Sequence, residues 1–252
     1  MTDASLNIVA HLPETLILWD IDHTLIENGG VSKETYALAF ELLTGCVPSV
    51  RPTTDGRTDF QIMHKLLSAN SIDTDKYFEI AQFEGVLIEA MERNASQLPR
   101  RGHILPGVIE ALAFLSSIPA VIQSVLTGNI ASNARAKLSA FHLDAWLDLD
   151  VGGFGSDDKV RSNLVDTARQ RVSTKYGKIF DRSSTILIGD TLFDVKAAHD
   201  GGAKILAVAT GIYSALQLTE AGADLVLDNL GSTDQFIAAL VRLRSGEPPP
   251  RS

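Results

Sequence analysis

The chain has 252 residues, 45% hydrophobic and 21% charged, which supplies a sizeable core and excludes disorder, collagen and fibre as descriptions of the whole. With 22 Lys+Arg against 31 Asp+Glu, the formal charge is −9. An extended basic face for nucleic acid is therefore not expected, whereas a small anionic substrate stays open because local charge can oppose net charge.

Residues 1–12 contain no Lys or Arg and no apolar run of signal-peptide length. The first buried-strand pattern follows at 16–19, a continuous apolar run ending in Asp20. Residues 28–102 then read almost entirely as helix, over 32–44, 58–69 and 74–94, with no apolar strand run between them. A helix is expected at 108–117. Strand runs at 120–126, 185–188, 205–208 and 224–227 follow, with amphipathic helices at 129–141, 160–172 and about 192–200. Runs of four to seven apolar residues mark strands buried on both faces. Strand–helix alternation means a parallel sheet flanked by helices, with ligands beyond the carboxyl ends of the strands.

The expectation is a Rossmann-like α/β core from residues 1–27 and 103–244, an inserted all-helical cap at 28–102, and a disordered tail at 245–252. Cap hinges are expected near 27–30 and 100–102, and proline at Gly29 and Gly30 is expected to stiffen them. Phe40, Leu42, Leu43, Leu66 and Leu67 read as cap core. Cys46 is the single cysteine, so no intrachain disulfide can form, which suits a reducing compartment. No run approaches ~18 apolar residues, so no membrane span is expected, and the localisation expected is cytoplasmic.

Three motifs sit at strand ends. Asp20-Ile21-Asp22-His23-Thr24 places two carboxylates on a sharp turn, one able to attack as nucleophile while the other serves as acid and base. Leu126-Thr127-Gly128-Asn129 offers a hydroxyl and helix-opening amides to a phosphate oxygen; alone it reads more readily as an N-cap. Gly189-Asp190-Thr191-Leu192-Phe193-Asp194 adds acids that suit a hard cation such as Mg²⁺.

In this order the motifs resemble those of the haloacid-dehalogenase-like (HAD-like) superfamily over residues 14–240. The helical insertion is similar to the cap of its phosphoglycolate-phosphatase-like and β-phosphoglucomutase-like members. The resemblance implies Asp20 as the nucleophile that becomes an aspartyl phosphate, and Asp22 as acid and base that also offers its backbone carbonyl to the metal. It implies Asp20 and Asp190 as carboxylate ligands of Mg²⁺, Asp194 and Asn129 in support, and Thr127 with Gly128 on the phosphoryl group. Two positions depart from the family pattern. His23 stands where glycine is commonest, and the basic third motif, often Lys-Pro, is here a stretch containing Lys159 and Arg161. Either could reach the phosphoryl oxygens; Arg161 is preferred because it leads into the helix of Leu164 and Val165. Arg57, in the loop 55–59, and His23 are candidates for contact with the rest of the substrate.

The activity implied is Mg²⁺-dependent hydrolysis of a small phosphorylated metabolite. A phosphosugar mutase of the β-phosphoglucomutase type shares the whole catalytic set, and a non-catalytic phospholigand-binding member is the rival from another class.

Overall fold

In the computed structural model the apolar runs form a six-stranded parallel sheet, because each strand is covered on both faces. The structure describes residues 13–54, 56–74, 77 and 80–245. The expectations for residues 1–12, for the tail after residue 245, for Asp55 and for the first residues of the 74–94 helix lie outside the described residues. The strands are β1 (Thr15–Trp19), β4 (Val121–Thr127), β5 (Gly153–Phe154), β6 (Thr185–Gly189), β7 (Lys204–Val208) and β8 (Leu225–Leu227), in the order β5-β4-β1-β6-β7-β8. β5 has no counterpart among the expected strands: two residues after Gly152 are too few to make an apolar run.

Alternation decides which face each side chain enters. Ile17, Trp19, Val125, Ile186, Ile188 and Leu206 enter one core. There they meet helices α5 (Val108–Ser116), α6 (Ala131–Ala140) and α10 (Thr233–Ser245). Leu16, Leu18, Leu126, Leu187 and Ile205 enter the other, covered by α7 (Asn163–Tyr176), α8 (Leu192–Asp200) and α9 (Ala215–Glu220). The chain moves outward from β1 first through β4 and later through β6. β1 therefore lies at the switch point where such sheets open a crevice for ligands.

The insertion contributes α1 (Val31–Thr44), α2 (Asp59–Ala69), α3 (Ile80–Asn94) and the short α4 (Leu98–Arg101). Tyr36, Phe40, Leu43, Phe60, Met63, Leu66, Leu67 and Leu87 form its own buried cluster, with Phe60 and Phe83 stacked at 4.6 Å. Leu42 is only partly buried against it. Ile130, within the span expected as the helix 129–141, joins this cap cluster, so the cap is packed onto the core through an apolar contact. Among the described residues no helix is long and apolar enough to cross a membrane.

Two expectations need correction. The helix expected at 160–172 begins at Asn163, because Asp158 Oδ1 accepts the Val160 amide at 2.7 Å and holds the chain in a turn. Val160, the first residue of that expected helix, is 53% exposed. The second concerns the joins between cap and core, where the chain is paired. Ile26–Glu27 (β2) pairs antiparallel with His103–Ile104 (β3), and Arg101 donates to Gly29 O at 2.8 Å while pairing with Glu34 at 2.6 Å.

Gly29 and Gly30 have φ of +63° and +82°, a conformation that proline, locked near −65°, cannot adopt. Proline there would break the join rather than stiffen it. Gly29→Pro is expected to cost at least about 2 kcal/mol, read as a lower urea midpoint of unfolding. An unchanged midpoint would contradict the left-handed turn.

Candidate active site

The turn after β1 is built from the backbone. Asp20 N–H donates to Ile188 O at 2.8 Å, which carries the β1–β6 pairing one residue past the strand, and the amides of Leu25 and Ile26 fold back onto Ile21 O at 2.9 and 3.1 Å. His23 takes φ +60° to close the turn. Glycine would take that left-handed value freely, whereas a side chain is strained there. His23 pairs with Glu27 at 2.8 Å, and both are about one-third exposed.

Asp20, Asp190 and Asp194 are buried together, with oxygens within 4.8 Å of one another. One cation lies among them. Arg161 Nη2 is 2.8 Å from Asp20 Oδ1 and 2.5 Å from Asp194 Oδ1. Burial raises Asp20 to about 7; Arg161 opposes the rise while Asp194 and Asp22 add to it. Burial and then the charges of Asp194 and Asp20 push Asp190 well above the usual carboxylate range. The arrangement has more negative charge than Arg161 neutralises.

That excess bears on the metal. Asp190 Oδ1 accepts from Thr24 at 3.2 Å, whereas Asp190 Oδ2 is buried with no hydrogen-bond partner. An orphaned carboxylate oxygen among unbalanced acids fits a divalent cation. Asp194 belongs to the same cluster, but both its oxygens are engaged. Oδ1 takes Arg161, and Oδ2 takes the Thr191 amide and hydroxyl at 2.9 and 2.6 Å in the capping box of α8. The residues therefore fit a cation held by Asp20 and Asp190, with Asp194 holding Arg161.

Asp22 has a different environment. Its Oδ2 accepts from Lys137 Nζ at 2.6 Å and Asn129 Nδ2 at 3.0 Å, and its Oδ1 from Asn28 Nδ2 at 2.8 Å and Ser32 Oγ at 3.4 Å. Burial alone would raise its pKa. The charge and hydrogen bond of Lys137, with the hydrogen bonds of Asn129 and Asn28, outweigh that and hold it at about 2. Thr127, fully buried, accepts from Asn129 Nδ2 at 2.8 Å.

These groups line a cavity of about 130 Å³ between cap and core, bounded by Asp20, Asp22, Thr127, Gly128, Arg161 and Asp190 below and by Lys33, Tyr36, Gly56, Arg57, Asp59 and Ile62 above. Arg161 Nη1 also donates to Gly56 O at 2.8 Å. The cation at the acids thus holds the cap loop as well. Gly128 O accepts from Asp59 N at 2.8 Å, and a Cβ on Gly128 would lie 2.3 Å from Arg57 O; the two chain segments touch at a distance only glycine permits. Asp59, fully buried, accepts from cap Tyr36 at 2.5 Å and from the core amide of Ile130 at 2.9 Å.

Of the two basic candidates, Arg161 is at the acids. Lys159 is exposed and sits over the Phe60 ring at 5.7 Å, away from the cavity lining. Arg57 and His23 both line the cavity; the Arg57 guanidinium is 5.0 Å from the Phe193 ring of α8. Sequence reasoning missed Lys137, Asn28, Ser32 and Tyr36, and gave Thr24 and Asp59 no role. Lys137 carried a legible signal: it falls in the apolar stripe of its helix, three residues after Ala134 and four before Phe141. A lysine in a buried stripe needs a buried partner.

Known proteins resemble this chain in sequence and fold. A family model described as HAD-hydrolase-like matches residues 159–233, the stretch carrying Arg161, Asp190 and Asp194. The probable phosphatase IndB of Dickeya dadantii (strain 3937) is 24% identical over 233 residues, covering 91% of this chain and 96% of that protein. A hydrolase from Pseudomonas syringae superposes with a TM-score of 0.66 at 19% identity, over 90% of this chain and 98% of that one. A predicted phosphatase from Clostridium acetobutylicum does so with 0.65 at 14% identity, over 92% and 100%.

The chain is similar to HAD-like hydrolases, in sequence over residues 159–233 and in fold over most of its length. Its parallel core and inserted helical cap match the HAD fold, and the buried Asp cluster is a potential divalent-metal site.

Asp59 ties cap to core, and its titration should be visible in stability. Burial raises it to about 6 from 3.8, with the hydrogen bonds of Tyr36 and Ile130 and the charge of Lys137 opposing and that of Asp22 adding. A carboxyl raised on folding stabilises below its unfolded pKa, and that contribution is lost as pH climbs through 6. Between pH 5 and 7 the wild type should lose about 1 kcal/mol that Asp59→Asn does not. Parallel urea titrations of the two proteins at both pH values check this; identical pH dependence would contradict it.

Proposed function

We propose that this protein is a HAD-type, Mg²⁺-dependent phosphatase that hydrolyses a small phosphomonoester through an aspartyl phosphate on Asp20. The observation that carries the reading is the pairing of two unlike carboxyls on one turn. Asp20 lies among acids and Arg161 with an orphaned Asp190 oxygen beside it, while Asp22, two residues on, is held apart by Lys137 and amides. One fold position thus supplies a nucleophile and a separate proton carrier, as phosphoryl transfer through an enzyme carboxylate requires.

In this reading Asp20 Oδ forms a bond to phosphorus as the bond to the leaving oxygen breaks, and that oxygen takes a proton from Asp22. Water then attacks the aspartyl phosphate and gives its proton to Asp22. The bond from phosphorus to Asp20 breaks and phosphate leaves. Asp22 is ionised in the present arrangement, the form that accepts the proton from water. An incoming phosphoryl group beside it disfavours that charge and prepares it as the acid.

Asp20 and Asp190 carboxylates, with the Asp22 backbone carbonyl, would hold Mg²⁺, which when bound neutralises charge on the phosphoryl oxygens. Thr127, the Gly128 amide and Arg161 would hold those oxygens. Asp194 would keep Arg161 in place, and Asn129 would hold Thr127 and Asp22. Arg57 and His23 would meet the rest of the substrate, because both line the cavity beyond the acids. A cavity of about 130 Å³ favours a small metabolite over a phosphoprotein.

The test is phosphate release from a panel of small phosphomonoesters, with Mg²⁺ or with EDTA. Wild type should release phosphate only with Mg²⁺, and Asp20→Asn should fall to background. Release that is unchanged in Asp20→Asn, or absent for every ester, would overturn the reading.

A further inference from the structure

We propose that Lys137 is a positioning residue for Asp22, and that through Asp22 it governs protonation of the leaving oxygen. The proposal rests on the phosphatase reading above.

Lys137 is 1% exposed in the middle of α6. A buried ammonium is costly unless it is paired and hydrogen-bonded, and Lys137 Nζ donates to Asp22 Oδ2 at 2.6 Å and to Asn129 Oδ1 at 2.7 Å. Asn129 completes the chain by donating from Nδ2 to the same Asp22 oxygen at 3.0 Å and to Thr127 Oγ1 at 2.8 Å. Thr127, Asn129, Lys137 and Asp22 are thus one connected network running from the end of β4 to the turn after β1.

Lys137 is not among the residues lining the cavity, whereas Asp22, Asn129 and Thr127 are. It therefore has no direct path to substrate and acts through the carboxylate it holds. The other Asp22 oxygen is held by Asn28 and Ser32, at the entry to the cap. One oxygen is anchored by the core and the other by the cap, and the charged anchor belongs to the core. Proton transfer depends steeply on the direction and distance of the donor. A charged tether at 2.6 Å fixes both without occupying substrate space.

A leaving-group series separates this role from a merely structural one. An alkyl phosphate expels a strongly basic oxygen that needs a proton, whereas p-nitrophenyl phosphate expels a weakly basic one that does not. Because kcat/KM reports on events through departure of the leaving group, it should be measured with both esters. The proteins are wild type, Lys137→Met, Asp22→Asn and the double variant, each checked for folding by circular dichroism.

Lys137→Met should lose at least about tenfold more kcat/KM on the alkyl ester than on the p-nitrophenyl ester, in the same sense as Asp22→Asn. In the Asp22→Asn background it should cost little more on either. Equal losses on both esters, or full additivity in the double variant, would overturn the proposal while leaving the phosphatase reading intact. Absence of Asp20-dependent release by the wild type would overturn both. If Lys137→Met does not fold, Lys137→Gln, which removes the charge but keeps a donor, takes its place. A greater loss on the alkyl ester then supports the proposal, and equal losses overturn it.

Discussion

Three buried carboxylates share one guanidinium at the carboxyl end of the sheet, and much of the site depends on that imbalance. Arg161 holds Asp20 and Asp194 at 2.8 and 2.5 Å and reaches Gly56 O in the cap. Asp194 can hold it because its second oxygen is already committed to capping α8. Desolvating so many like charges is tolerable only with compensation, and Arg161 supplies part of it. The remainder shows in the raised Asp20 and Asp190 and in the orphaned Asp190 oxygen. Asp22 escapes the crowding because it faces its own cation, Lys137. Two carboxyls two residues apart are thereby given opposite electrostatic settings.

The second constraint is the contact of cap with core. The segment 56–59 lies directly on the Thr127-Gly128-Asn129 loop, through the Asp59 amide on Gly128 O and the backbone approach that Gly128 allows. Asp59 binds Tyr36 of the cap and the Ile130 amide of the core with its two oxygens, and Ile130 itself packs into the cap cluster. The loop expected to contact phosphate and the loop expected to contact the rest of the substrate are one packed unit. Moving the cap would disturb both.

The strand runs were legible because a strand buried on both faces must be continuously apolar, and Asp20, Thr127 and Asp190 stand where those runs stop. The helices were legible in kind, but the start of α7 was displaced because Asp158 stabilises a turn that periodicity does not register. β5 was invisible at two residues. Lys159 and Arg161 both stayed open in the sequence, with Arg161 preferred for its place before the helix. Only the fold shows Arg161 directed at Asp20 and Asp194 while Lys159 rests over Phe60.

The sequence by itself determined the α/β core, the helical insertion after the first strand and the acidic strand ends, because each is written as local periodicity or as residue type at a strand's end. The tertiary structure alone decided which charges meet. Lys137 lies 115 residues from Asp22 and Asp59 lies 71 from Ile130. Pairings across such separations depend on how helices lie on the sheet, and a linear pattern carries no record of that packing.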